Sequence, residues 1–402
     1  MMSQIINSDC DFQATINFVK EHAANDVQRL ALEVRKYPEV DAHFALDQIA
    51  GRQKSRTKLP SWAEVDDLIF PPSVSMEQCS SEATASYKSS LVSGELLVDL
   101  TGGFGVDFSF LANRFSSAVY VERQEHLCHI AEHNFKVLGL SHVQVVNDNA
   151  EHYLATMPVV DLIYLDPARR DGAGNRVFRL DDCTPNVVQL LDLLLTKGRQ
   201  VMIKLSPMLD VSQALRQLRG VSEVHIVSVA GECKELLLLL SAKHEGDVKI
   251  VCVNDGQTFT YRLGEPVVMP MQWSGELPAE GDLYLYEPNA SMMKAGCFGQ
   301  LAQRYGLQAV AQQSHLFVAE RPISDFQGRK FVVNDITTLN SKELKQKLAG
   351  ITQANVAVRN FPLKAAELAK RLRLKDGGSV YIFGTRLANG KNVLLLCEKA
   401  PF

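Results

Sequence analysis

Paired cysteines are missing from this sequence. The eight it has, at 10, 79, 128, 183, 233, 252, 297 and 397, contain no C-x-x-C spacing, which argues against a disulfide framework and a zinc site alike. Reduced, mostly buried thiols and no metal are the expectation. The amino terminus, MMSQIINSDCDF, lacks the cationic and apolar regions of a secretory leader. Long apolar runs are also absent: LLLLL at 236–240 is far short of the roughly 18 residues a membrane span requires. A soluble, cytoplasmic protein without membrane association is expected. What is present is globular in composition, with 46% hydrophobic and 22% charged residues over 402 positions, long enough for two or three domains.

The chain carries no large net charge, only −4, but the charge is uneven. Residues 329–402 hold 14 Lys and Arg against 5 Asp and Glu, a balance of +9 that leaves −13 for the rest. A basic module on an acidic body suits a polyanionic partner. Lys370, Arg371, Arg373 and Lys375, at the end of one expected helix and just beyond it, are its candidate contacts. A solvated helix face that only confers solubility is the alternative.

Texture divides the chain into four stretches. Residues 1–90 read as a helical domain, with apolar spacing carried by Val27, Leu30, Leu32 and Val34, then Val40, Phe44, Leu46 and Ile49, and with prolines as punctuation. A further helix enters the next domain, with Ser80 or Ser81 near its start. Residues 91–243 alternate strand and helix, with strands near 96–100, 118–122, 143–147, 160–165, 200–205, 223–229 and 235–241. That alternation predicts an α/β fold, a parallel sheet with helices on both faces. The last two strands, separated by AGECK, should pair antiparallel. Residues 244–328 open with a hairpin across Asn-Asp-Gly and continue as a small α+β region, and 329–402 form a second one.

The segment LLVDLTGGFGVDFSF, residues 96–110, places a glycine cluster between a strand and a helix, the turn at which nucleotides bind. The dinucleotide fingerprint fails because Phe108 stands where its third glycine belongs. The phosphate-binding P-loop fails because no Lys follows the glycines. Asp99 at the strand end would repel a phosphate, whereas it suits a cationic ligand. The next strands also end in candidate polar groups: Glu122, able to accept ribose hydroxyl protons, and Asp148 with Asn149. The fourth ends in Asp166-Pro167-Ala168-Arg169, followed by Arg170.

The acid and glycine turn, Asp99 with Gly102, Gly103 and Gly105, resembles that of class I S-adenosylmethionine (SAM) methyltransferases. The sheet pattern with its reversed last strand is similar to theirs too. The resemblance implies a Rossmann-like seven-stranded methyltransferase sheet, flanked by the helical amino-terminal domain and the small α+β carboxyl-terminal domains. It also implies SAM as cofactor, held by Asp99, Thr101, Gly102, Gly103, Gly105, Glu122, Asp148 and Asn149, with Asp107 capping the following helix. Asp-Pro-Ala-Arg resembles the Asp-Pro-Pro-aromatic motif of amino methyltransferases and the Asp-Pro-Pro-Arg variant of RNA-modifying members. Asp166, Pro167 and Arg169 then become the catalytic candidates, and Arg170 a base- or phosphate-binding one. The stacking aromatic is absent. A cysteine nucleophile is absent after the fifth strand, where IKLSPMLD stands, and Cys183 has no matching spacing, so covalent catalysis is disfavoured.

EQCSSEATASYK, DLTGGFGVD, YLDPARRD, YLYEPNASMMKAG and NVAVRNFPLK together resemble a bacterial family of such enzymes with ferredoxin-like and THUMP-like carboxyl-terminal domains. Structured RNA, rRNA or tRNA, is the substrate this implies, methylated without a covalent intermediate on a positioned base. A non-catalytic RNA-binding protein with the same fold, and a methyltransferase for protein or small molecules, remain as alternatives. The oligomeric state stays open.

Overall fold

The computed structural model describes residues 10–168 and 180–402, so the candidates Arg169 and Arg170 lie outside the described residues. The chain forms two compact units, one of residues up to 224 with 235–248, the other of 225–234 with 249–402. All eight cysteines are free thiols. Among the described residues no helix is long and apolar enough to cross a membrane.

The first unit opens with α1 (Phe12–Glu21), α2 (Val27–Glu33) and α3 (Ala42–Lys58). Each starts on an aspartate, Asp11, Asp26 and Asp41, whose carboxylate accepts an N–H of the first turn. This is the standard answer to the unpaired donors of a helix start. Phe18, Val19, Leu30, Val34, Val40, Ala45 and Ile49 bury together. Leu32, expected on that apolar stripe, instead faces solvent. The basic residues of α3 are largely spent inside the unit: Lys54 on Ser73 and Glu77, and Lys58 on the carbonyls of Met76 and Glu77. Short helices α4 (Pro60–Ala63) and α5 (Ser73–Gln78) lead to α6 (Glu82–Ser90), capped by Ser81.

The α/β part follows as β1 (Gly94–Asp99), α7 (Val106–Ala112), β2 (Phe115–Glu122), α8 (Glu125–Val137), β3 (Val143–Asn147), α9 (Ala150–Thr156), β4 (Val160–Leu165), α10 (Val187–Lys197), β5 (Gly198–Leu205), α11 (Val211–Gln217), β6 (Val221–Val229) and β7 (Glu232–Leu240). The strand order is β3-β2-β1-β4-β5-β7-β6, and the sheet runs on past β6 into two further strands, Lys249–Asn254 and Gln257–Arg262, giving nine in place of the seven expected. The first five strands pair parallel, and β7 runs antiparallel to β5, with Val201 opposite Leu240. The order reverses beside β1, so the carboxyl ends of β1, β2 and β4 flank the switch point where open sheets bind ligands. Tyr120, Phe108 and Phe135 pack edge-to-face and tilted beneath the turn, with ring centroids 5.0–5.4 Å apart.

The second unit contains the hairpin β8 (Lys249–Asn254) and β9 (Gln257–Arg262), joined through Asp255-Gly256 with positive φ at both residues. It continues with β10 (Leu283–Pro288), α12 (Ala290–Ala295), α13 (Phe298–Tyr305), β11 (Gln308–Ala309), β12 (Phe317–Ala319), β13 (Gly328–Thr337), α14 (Ser341–Lys347), β14 (Asn355–Arg359), α15 (Ala365–Leu372), β15 (Val380–Arg386) and β16 (Asn392–Lys399). The last seven strands form one sheet in the order β11-β12-β10-β13-β16-β15-β14. The boundary expected at 328/329 therefore falls at the start of a strand, β13, that pairs with β10 from the preceding stretch. Buried Glu287 on β10 binds both Arg329 and Arg359.

Candidate active site

The glycine turn is shaped from below. A Cβ on Gly102 would stand 2.2 Å from the Tyr120 ring, and Gly105, at φ +82°, ends the turn as the residue before α7. Neither position accepts a larger residue without strain. The Tyr120 hydroxyl donates to the Gly103 carbonyl, while the Gly103 N–H donates to Glu122 Oε2 at 2.9 Å. The other Glu122 oxygen accepts the Gln124 N–H at 2.8 Å.

Asp99 ends β1 almost fully buried. Its Oδ1 accepts the Thr101 N–H at 2.8 Å and lies 3.3 Å from the Thr101 hydroxyl. Burial, with the carboxylates of Asp107 and Asp166 nearby, pushes its acid up to about 8 against the opposing hydrogen bonds from Thr101. Thr101 in turn accepts the Asp166 N–H at 2.7 Å, tying the end of β4 to the turn. After β3, Asp148 accepts from the Asn149 N–H and lies 2.6 Å from His152 Nδ1, and Asn149 caps α9 through the His152 N–H. The structure thus brings Asp99, Thr101, the glycines, Glu122 and Asp166 into one continuous hydrogen-bonded edge.

Asp107 departs from its expected role. Gly105 occupies the cap position of α7, and the Asp107 side chain, two residues past that position, turns inward. It meets Lys88 Nζ at 3.1 Å and Lys204 Nζ at 3.3 Å, and accepts from the hydroxyls of Ser80 and Tyr164 at 2.8 and 2.7 Å. Burial alone would raise this acid; the two ammonium groups and two hydroxyls hold it well below the usual carboxylate range. Two cations and two donors outcompete a helix start.

Three residues here are not among the sequence candidates. Lys88 on α6, with its side chain 0% exposed, binds Glu235 on β7 at 2.6 Å. Lys204, near the end of β5, reaches past the sheet edge to Asp166 Oδ2 at 2.5 Å, and its hydrogen bond to Ser80 is 3.2 Å long. Burial pulls Lys204 down, but the carboxylates of Asp166, Asp107 and Glu235 together hold it well above the ordinary lysine value. Burial raises Glu235, opposed by Lys88 and Lys204. A lysine inside VMIKL and an acid abutting LLLLL were the available signals, since charges in fully buried strands need partners. Pro167 follows Asp166, and Ala168 bridges Thr184 through two backbone hydrogen bonds of 2.7 and 3.0 Å. In the second unit Lys370, Arg371, Arg373 and Lys375 are all exposed at and beyond the end of α15.

Residues 284–326 match the sequence model of a ferredoxin-like domain, and 328–399 that of a THUMP domain-like family. A crystal structure from Porphyromonas gingivalis W83, provisionally named a methyltransferase, is 34% identical over 97% of this chain and 99% of its own, with a TM-score of 0.84. An rRNA methylase of Streptococcus thermophilus is 16% identical over 39% of this chain and 93% of its own, with a TM-score of 0.29. A Streptococcus mutans protein, provisionally named a methyltransferase and solved with S-adenosylhomocysteine (SAH), is 12% identical over 40% and 95%, with a TM-score of 0.31. The search of curated proteins returned no match.

Proposed function

The chain belongs to the family of class I methyltransferases that carry ferredoxin-like and THUMP-like carboxyl-terminal domains, and from that premise we propose that it is a SAM-dependent methyltransferase of structured RNA. The observation that carries the cofactor is Asp99. A nearly buried acid with one oxygen on Thr101 and, among the described residues, no cation bound to it is a poor neighbour for phosphate and a good one for an ammonium or sulfonium. Fit is further supported by Glu122, which fixes the Gly103 N–H at the end of the adjacent strand. Asp99, Thr101, Gly103 and Glu122 would hold the cofactor, with Asp148 beyond β3; Asn149 is committed to capping α9. When bound, SAM supplies an electrophilic methyl group.

The protein's own part in the chemistry is positioning. Asp166 is fixed from one side by Thr101 and from the other by Lys204, and a positioned acceptor accounts for much of a methyl-transfer rate. Cys79, which has Asp107 and Lys204 among its charged neighbours, is a half-buried thiol whose acid is pushed up by burial; such a group is a poor nucleophile. This supports direct, non-covalent transfer. RNA as substrate is supported by the exposed basic end of α15 on a chain whose remainder is acidic.

Labelled SAM incubated with the protein and a cell extract tests the reading. Label that RNase removes is expected. Label that only a protease removes would contradict RNA as substrate and favour a protein methyltransferase.

A further inference from the structure

The acceptor atom follows from the charges around Asp166. Resting on the RNA reading above, we propose that the acceptor is a ribose 2′-hydroxyl, with Asp166 as the catalytic proton acceptor and Lys204 as the residue that positions it.

One carboxylate oxygen of Asp166 is occupied by Lys204 at 2.5 Å. The side chain is nonetheless 39% exposed, whereas Lys204 behind it is 12% exposed and Lys88 further back 0%. Among the described residues the other oxygen has no partner, so the site presents to a substrate one carboxylate oxygen backed by an anchored ammonium. A hydroxyl brings one proton to be accepted, which matches that oxygen. An exocyclic amine on a base becomes cationic as its new bond to carbon forms, and a fixed lysine one carboxylate away opposes that change. A hydroxyl moves in the opposite direction: losing its proton makes the oxygen more negative, and a preorganised cation favours this. A base amine also needs a plane to lie on. Among the described residues, Pro167 and Ala168 supply no aromatic ring, and the Tyr164 ring is buried with its hydroxyl committed to Asp107.

Behind the pair the charges are arranged to keep Lys204 in place and charged. Ser80 and Asp107 hold its far side, and the buried Lys88–Glu235 pair lies beneath them. Removing the cation would leave three carboxylates, Asp166, Asp107 and Glu235, without the ammonium that each of them faces. In the transfer, a lone pair of the ribose oxygen forms the bond to the methyl carbon as the carbon–sulfur bond breaks. The bonding pair stays on sulfur, leaving a neutral thioether, and the hydroxyl proton passes to the Asp166 carboxylate and then to water.

The test uses the full chain, methyl-labelled SAM and total RNA from cells lacking the protein, with the RNA then digested to nucleosides and analysed by mass spectrometry. Label on the sugar fragment is expected. Label on a base fragment overturns the hydroxyl assignment and leaves the RNA methyltransferase reading standing. No label in RNA, with SAM binding intact, overturns that reading and this proposal with it. For positioning, Lys204→Met is expected to lower kcat by about 10²-fold with the KM for RNA within a few fold, and Lys204→Arg to recover part of the loss. Equal, small losses in both variants would remove Lys204 from the proposal. A readout without turnover compares the cofactor-free protein on a mixed-sequence oligoribonucleotide and its 2′-deoxy counterpart. The preference for ribose should fall in Asp166→Ala; an unchanged preference would overturn the contact between Asp166 and the hydroxyl.

Discussion

At Asp99, the folded chain holds a proton that the unfolded chain gives up near the ordinary value of 3.8, because burial raises the folded acid to about 8. Across that window the folded state binds more protons than the unfolded one, so this residue's contribution to stability is present at low pH and is lost as pH rises. Denaturation of the cofactor-free protein at several pH values should show a flatter profile between pH 4 and 8 for Asp99→Asn than for the parent; identical profiles would mean the acid is not buried as described. Lys88 poses the opposite problem, a cation with no solvent to return to. Lys88→Met should cost about 3–5 kcal/mol, the usual range for breaking a buried pair, read as a lower denaturation midpoint. The sequence made the placement of Asp99, the glycines and Glu122 at the strand ends legible, because each stands beside a turn with an intrinsic signature. It did not reveal that Asp107 faces inward, since helix position alone does not tell which of two nearby charge systems a carboxylate joins.

At the scale of elements, strands β1, β2, β4 and β5 were legible because each ends in a short buried apolar run, and buried parallel strands read that way. The partnership of Lys88, Lys204 and Glu235 was not, because it joins α6, β5 and β7 across up to 147 residues of chain; periodicity assigns faces to elements but does not pair them. Helix α15 was legible, and so was its basic end. Replacing Lys370, Arg371, Arg373 and Lys375 by glutamine should weaken RNA binding and make its salt dependence shallower. Each lost phosphate contact removes roughly 0.7–0.9 from the slope of log affinity against log salt. Filter binding at several salt concentrations would measure it, and an unchanged slope would show that these side chains only solubilise the helix. Point substitution suits this test better than truncation at residue 328, which would strip β10 of its partner β13 and remove Arg329 and Arg359 from Glu287.

For the whole molecule, on the proposed function, the first unit binds a cationic nucleoside and the second meets an anionic polymer. The first of these can be examined alone. Titration calorimetry of the full chain with SAM at pH 7, in two buffers of different ionisation enthalpy, tests it most directly. Burial raises the Asp99 acid to about 8 before a cation arrives, so binding at pH 7 should release protons and be greatly weakened in Asp99→Ala. NAD and ATP should give no comparable heat. A folded protein that gives no heat with SAM or SAH, or that binds SAM as tightly without Asp99, would contradict the account.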